Sequence, residues 1–439
     1  MKLFLFLLIF INYLHTEEFF IDEPILNSNI YINIEGDEKK DAIVFVHGLG
    51  DEASTIWENS IDKLKNDYYV IRFDLPGFGK SSKANVEYTP EKYAEVLDFI
   101  VSKYLNEKKF YLVGHSMGGA ISLRYAMKYP NNLKKLMVID SAGILQKDAY
   151  GEFIIKTQIN KIVDENKKSS LNNQISQLAS NITSSLTEIL PKDLGEVVRD
   201  ETIRKKVLST PTSIAALGVM TEDWFDLYKI KTPTMILWGE NDQVTPLRSA
   251  YVLNYLLENS ELNIIKNTGH VPIVYSEDEY FEYLDKFLIE DIVQTEKKYG
   301  QATQNRELKN NKGILRDCSY KYLKIINSNN LYLYNCNIEH LNVENSNIYI
   351  IDSEIGNSKV AINSYNSDLN ITSTIIRGEV GINTTASKLD LAAVKIDSTI
   401  NAILSNGENE IIFSLVNIKS PKINKVFHKK IIMHNKEKY

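Results

Sequence analysis

A serine set between glycines, Gly114-His115-Ser116-Met117-Gly118, joins an apolar run to a helix-forming run in FYLVGHSMGGAISLRYA, Phe110 to Ala126. A serine hydroxyl is a weak nucleophile at neutral pH, so catalysis needs a general base beside it and a carboxylate to orient that base. One histidine lies between Ser116 and the repetitive C-terminal region, His270 in NTGHVP, and it is the expected base. Asp242, in MILWGENDQVTP, is the expected carboxylate, with Glu240 and Asp140 as alternatives. The backbone N–H groups of Met117 and of Leu49, in HGLG, would receive the negative charge that forms on an attacked carbonyl oxygen. His47 and Asp74 read as loop-shaping residues. His115 adjoins the serine on the wrong side of the turn to act as its base.

These residues are useful only if the chain gathers them, and the surrounding pattern provides for that. From about residue 20 to 290, short Val/Ile/Leu-rich runs alternate with longer amphipathic ones, the order of an α/β fold with a parallel sheet. Expected strands are AIVFVHG (Ala42 to Gly48), YYVIRFDLPG (Tyr68 to Gly77), KFYLVGHS, LKKLMVIDSAG (Leu133 to Gly143), TPTMILWGEND (Thr232 to Asp242) and ELNIIKNTGH (Glu261 to His270). Each ends in a loop carrying Gly, Asp, Ser or His, and in open α/β sheets the crevice outside the carboxyl ends of the strands is where ligands bind. Glycines on both sides of Ser116 leave room for a sharp strand-to-helix turn that lifts the hydroxyl clear of the sheet. Residues 144–226 interrupt the strand pattern with helix-like runs such as SSLNNQISQLASNITSSL and are expected to form a helical cap.

Beyond residue 312 the chain is rich in Asn, Ser and Ile and repeats itself. Leu331-x-Leu333-x-x-Cys336-x-Ile338 recurs as Ile348/Ile350/Ser353/Ile355, Leu369/Ile371/Thr374/Ile376, Leu389/Leu391/Val394/Ile396 and Ile411/Phe413/Val416/Ile418, with a weaker first copy at Leu315, Cys318 and Tyr320. Most copies carry a second short strand, as in Leu341-x-Val343, Val360-x-Ile362 and Val380-x-Ile382. Alternating apolar residues at this period suit a parallel β-helix, in which each coil buries its face only against the next. A sandwich of short antiparallel strands is the alternative. On the β-helix reading Cys318 and Cys336 take equivalent places in adjacent coils and are expected to stack as inward thiols, a disulfide being the alternative.

The chain thus divides into a segment 1–16, an α/β domain 17–292, a linker 293–311 and a repeat domain 312–439. After Lys2, LFLFLLIFINYL gives about a dozen apolar residues, the length of a signal-peptide core and short of a transmembrane helix. Export to the periplasm or the outside is expected, with an uncleaved anchor as the alternative. A net charge of -7, with lysines dispersed rather than gathered in a block, argues against a nucleic-acid partner.

VFVHGLGDEAS, VIRFDLPGFGKSS, LVGHSMGGAISLRYAMKYP, VIDSAGI and MILWGENDQVTP with NTGHVP together resemble the α/β-hydrolase superfamily, in particular its lipase and esterase branch with monoacylglycerol-lipase-like enzymes. The resemblance covers residues 25 to 290. It implies nucleophile Ser116, acid Asp242, base His270, oxyanion amides from Leu49 and Met117, and no metal or organic cofactor. It further implies hydrolysis of a small-molecule or lipid ester and leaves a membrane-surface or cell-surface association open. Serine in the nucleophile position argues against the dehalogenase and epoxide-hydrolase branches, which use aspartate, and the HGGPG turn of proline iminopeptidases is absent. Carbon–carbon bond or amide hydrolases with the same triad are alternatives, as is a surface binding protein whose β-helix carries the main role.

Overall fold

The computed structural model describes residues 16–162, 194–294 and 299–439. Its first part is an eight-stranded sheet in the order β1-β2-β4-β3-β5-β6-β7-β8. The strands are β1 (Thr16–Glu23), β2 (Ser28–Glu35), β3 (Ala42–Val46), β4 (Tyr69–Phe73), β5 (Phe110–His115), β6 (Leu133–Ile139), β7 (Thr234–Gly239) and β8 (Ser260–Ile265). From β3 onward neighbours run parallel. The continuous apolar runs explain this: all five residues of β3 are buried, as a strand covered by helices on both faces requires. The helices are α1 (Glu58–Leu64), α2 (Pro90–Leu105) and α3 (Met117–Lys128), then α4 (Lys147–Ile162), α5 (Leu194–Arg199), α6 (Glu201–Val207) and α7 (Pro211–Met220) between β6 and β7, and finally α8 (Arg248–Leu256), α9 (Pro272–Tyr275) and α10 (Glu277–Ile289).

The six expected core strands form. The antiparallel hairpin β1–β2 was not expected from the sequence. Its polar residues conceal the alternation: Asn33 and Glu35 are buried, and Asn33 accepts a hydrogen bond from Arg72 on β4. Its turn is held by Glu23, whose carboxylate accepts the N–H groups of Ile25, Leu26 and Ser28. The inserted helices α4 to α7 occupy the expected cap interval, while SSLNNQISQLASNITSSL lies outside the described residues. So does all but the last residue of the expected signal segment.

The second part is a parallel β-helix. One face stacks β10 (Gly313–Arg316), β12 (Asn329–Tyr334), β14 (Asn347–Ile351), β16 (Asp368–Thr372), β18 (Lys388–Ala392) and β20 (Asn409–Ser420). The other stacks β9 (Asn305–Lys309), β11 (Ser319–Ile326), β13 (Asn337–Glu344), β15 (Glu354–Tyr365), β17 (Ile375–Thr385) and β19 (Lys395–Asn406). β21 (Ile423–Met433) closes the stack antiparallel to β20. β9 pairs with β11, so a strand of the β-helix falls inside the expected linker.

On the first face the register follows the repeat: Leu331, Ile348, Leu369, Leu389 and Ile411 form one buried column, and Leu333, Ile350, Ile371, Leu391 and Phe413 the next. On the second face Leu341 pairs with Ile362 rather than Val360, because β15 accommodates extra residues between Ile355 and Ile362. The Asn/Ser bias belongs to the corners. Asn327, Asn345 and Asn366 have φ of 50°, 48° and 46°, a left-handed conformation that asparagine tolerates. Each is followed by a serine whose N–H donates to the hydroxyl of the next coil, Ser328 to Ser346 at 3.0 Å, Ser346 to Ser367 at 3.1 Å and Ser367 to Ser387 at 3.2 Å.

Cys318 and Cys336 do stack in adjacent coils, but they form a disulfide rather than two thiols. Parallel register brings their Cα atoms to 4.5 Å, within the span that a disulfide bridges.

The β-helix is docked on the α/β domain. Ala392, Ala393, Ile412 and Leu415 enter the same apolar core as residues of the sheet and its helices. Arg248, opening α8, pairs with Asp390 and donates to Thr372 Oγ1 (2.7 Å) and the Asp390 carbonyl (2.8 Å). Ser373 Oγ donates to the Tyr251 carbonyl at 2.8 Å, and the Gln146 N–H to Ser414 Oγ at 3.0 Å.

Candidate active site

The sheet order reverses direction at β3, flanked by β4 and β5, so the loops after β3 and β5 open a crevice at their carboxyl ends. Ser116 lies there, between the end of β5 and the start of α3, with φ 54° and ψ −117°. A non-glycine residue with positive φ is strained and persists only where neighbours fix it. Here the Ser116 N–H donates to the Ile139 carbonyl (2.9 Å), and the Ser116 carbonyl accepts from Gly119 (3.0 Å) and Ala142 (3.1 Å). A Cβ on Gly118 would collide with the Val46 carbonyl, and one on Gly114 with the Gly118 carbonyl, so both glycines are required by close backbone approach.

The three expected side chains meet. His270 Nε2 is 2.9 Å from Ser116 Oγ, and His270 Nδ1 is 2.8 Å from Asp242 Oδ2. Asp242 is fixed in turn: its Oδ1 accepts the N–H groups of Val244 (2.7 Å) and Thr245 (2.9 Å), and its Oδ2 lies 2.6 Å from the Thr245 hydroxyl. Burial pushes the Asp242 carboxyl up, but the hydrogen bond and charge of His270, with Thr245 and the Val244 N–H, outweigh it and hold the pKa below the usual aspartate range. An ionised Asp242 keeps the Nδ1–H tautomer of His270, leaving Nε2 free to accept the serine proton. Thr245 is the part of this arrangement that sequence reasoning missed. It had no signal beyond its place three residues after Asp242.

The alternative carboxyls have other partners. Glu240 accepts the Asn267 N–H at 3.1 Å. Asp140 is buried, accepts the Gly239 N–H at 2.8 Å, and is driven well above the usual range first by burial and then by the charge of Asp242.

The other two histidines near the site are structural. His115 Nε2 donates to the carbonyl oxygen of His270 at 2.7 Å, and burial, helped by the nearby His270, lowers its pKa to about 3. His47 is also lowered by burial; its Nδ1–H donates to the Gly48 carbonyl (2.7 Å) and its Nε2 accepts the Leu75 N–H (2.9 Å). Asp74 accepts from Ser54 N (3.0 Å), Ser54 Oγ (2.5 Å) and Lys80 N (2.7 Å). His47 and Asp74 therefore tie the Leu49 and Leu75 loops together. His115, Asp140 and His270 place donor atoms within 4.8 Å of one another. Both ring nitrogens of His270 already belong to the hydrogen-bond chain, as does His115 Nε2, so this cluster is a hydrogen-bond network and not a vacant ligand set.

Met117 is the first residue of α3, where a backbone N–H has no acceptor within the helix. Leu49 borders both cavities that open at the site. One, of about 250 Å³, is lined by Ser116, Leu145, Tyr150, Val219 and Met220. The other, of about 460 Å³, lies on the far side of His270 between Glu52, Val274 and Tyr275. Ser116 lines the smaller cavity, and His270 and Leu49 border both.

Residues 41–276 match the alpha/beta hydrolase fold family, and the chain belongs to it. It is 26% identical over 249 residues to Lipase 1 of Psychrobacter immobilis, a match covering 56% of this chain and 75% of that one. It is 25% identical over 252 residues to the 2-hydroxy-6-oxo-6-(2'-aminophenyl)hexa-2,4-dienoic acid hydrolase of Metapseudomonas resinovorans, covering 57% and 84%. Monoacylglycerol lipase abhd6-B of Xenopus laevis is 25% identical over 248 residues, covering 54% and 71%.

Proposed function

We propose that the protein is an exported serine hydrolase that cleaves carboxylic esters through an acyl-enzyme. The observation that carries this is the unbroken chain Ser116 Oγ, His270, Asp242, with both links under 3 Å and a strained serine aimed into the crevice. Ser116 Oγ attacks the ester carbon while His270 Nε2 takes its proton. The oxyanion is received by the Leu49 and Met117 amides. Collapse expels the alcohol, which takes the proton from His270, and water activated by the same nitrogen then releases the acid and restores the serine.

A lipid-type substrate is supported by the apolar lining of the smaller cavity and by the lipases among the relatives. Met220, Val244, Val274 and Tyr275 stand exposed around the two cavity mouths, which supports work at a membrane or cell surface. Co-flotation of the protein with phosphatidylglycerol vesicles tests that association, and protein left wholly at the bottom of the gradient would refute it. Among the described residues no helix is long and apolar enough to cross a membrane. Export is supported by the apolar N-terminal run and by the disulfide, a bond that persists in oxidising compartments. Fractionation of the source cells would overturn it by finding the protein in the cytosol.

A second reading, hydrolysis of a carbon–carbon bond, is favoured by the hydrolase of Metapseudomonas resinovorans. A panel of p-nitrophenyl esters, anilides and vinylogous diketones separates the two. Ester turnover at least a hundredfold above the others is expected, and a preference for the diketone would replace the ester reading.

A further inference from the structure

We propose that the cleft between the α/β domain and the middle coils of the β-helix holds the distal half of a long acyl chain, so that the C-terminal domain forms part of the substrate site. This rests on the ester-hydrolase reading and names the substrate class: long-chain acyl esters.

The cleft has a volume of about 240 Å³ and shares Leu145 and Pro246 with the cavity that contains Ser116. Those two residues line both compartments, which are therefore adjacent. Its walls come from α4, with Ala149 and Phe153, and from the start of α8, with Leu247 and Tyr251. Its floor is the outward column of the β-helix, Tyr332, Tyr349 and Asn370 in register on β12, β14 and β16.

The floor chemistry selects the ligand. The rings of Tyr332 and Tyr349 lie 4.4 Å apart and 9° from parallel, so each covers a face of the other. The guanidinium of Arg316 sits 4.4 Å over the Tyr334 ring. A sugar ring binds an aromatic platform through an open face, and here one face of each of these rings is already taken. Three of the lining charges are paired, Arg248 with Asp390 and Glu152 with Lys388. Half-buried aromatic side chains beside Ile351 and Leu145 suit an alkyl chain, and the exposed Lys156 is the cation of the lining without an ion pair among the described residues. The walls are also fixed relative to the floor, because Arg248 and Ser373 bridge the two domains at the cleft edge.

The test compares kcat/KM for p-nitrophenyl butyrate, octanoate and laurate in the wild type and in Asn370→Trp, which fills the cleft from its floor. Circular dichroism and the thermal midpoint report whether the variant is folded. Each methylene transferred from water to the cleft should raise kcat/KM roughly threefold to fourfold, so the wild type should favour laurate. In Asn370→Trp the laurate-to-butyrate ratio should fall at least tenfold. An unchanged ratio in a folded variant overturns the proposal. A second measurement is independent of turnover: Ser116→Ala should bind the fluorescent long-chain fatty acid cis-parinaric acid, and Asn370→Trp added to it should weaken binding at least tenfold. Equal binding by both also overturns the proposal. Absence of any ester turnover by the wild type would instead remove the ester reading, with fatty-acid binding then deciding the cleft by itself.

Discussion

His115 Nε2 donates to the main-chain carbonyl oxygen of His270, 2.7 Å away. The residue next to Ser116 thus holds the backbone of His270, and the two rings lie tilted with their centroids 5.0 Å apart. Removing one such bond costs about 1–2 kcal/mol, a factor of roughly 5 to 30. His115→Asn should therefore lower kcat/KM by about tenfold while the pH–rate midpoint stays in place, because a group with a pKa of about 3 does not titrate in the working range. A loss beyond about a thousandfold, or a moved midpoint, would make His115 a participant in proton transfer.

Three carboxyls compete for the role of acid, and their surroundings separate them. Asp242 is bonded to His270 and held below the usual aspartate range, Asp140 is bonded to the Gly239 N–H and pushed well above that range, and Glu240 accepts the Asn267 N–H. Asp242→Asn should cut kcat by about 10⁴, since an amide favours the wrong imidazole tautomer. Asp140→Asn keeps the shape of the side chain and the oxygen that accepts the Gly239 N–H, and Glu240→Gln leaves the Ser116–His270–Asp242 chain intact. Both should stay within about fivefold of the wild type. Kinetics of the three variants on one ester decide the matter, and a loss at Asp140 as large as at Asp242 would reassign the acid.

Much of this site was legible because Ser116, Asp242 and His270 each lie in the loop after a strand of the parallel sheet, where an apolar run gives way to a chemical side chain. His270 stood out by uniqueness and Asp242 by its strand. Thr245 did not, since a threonine in a loop carries no pattern. The first face of the β-helix was legible because inward columns repeat strictly. The second face was not, because residues added in β15 shift its frame. The β1–β2 hairpin hid behind buried Asn33 and Glu35. The pairing of Cys318 with Cys336 depends on oxidation as well as on position. The docking of the two domains was beyond sequence reading, since Arg248 and Asp390 are 142 residues apart.

Acid should destabilise the fold from near neutrality downward. Burial holds His115 near 3 and His428 near 4, the latter against the opposing charge of Asp223, from an ordinary 6.5. Below about pH 6.5 the unfolded chain binds protons that the native state refuses, so stability present above that pH is lost as pH falls toward those values. Each group contributes a slope of about 1.4 kcal/mol per pH unit in that window. Urea unfolding at pH 7, 6 and 5 should show the decline, and His428→Gln should make it shallower by one group's share. A slope identical to the wild type would show that His428 does not titrate as its burial implies.

The central claim is that Ser116 is the nucleophile. Treating the intact protein with a fluorophosphonate and mapping the adduct by peptide mass spectrometry tests it most directly. A single phosphonylated residue, Ser116, is expected, with label and ester turnover both abolished in a folded Ser116→Ala variant. Label on another residue, or turnover retained by that variant, would contradict the account.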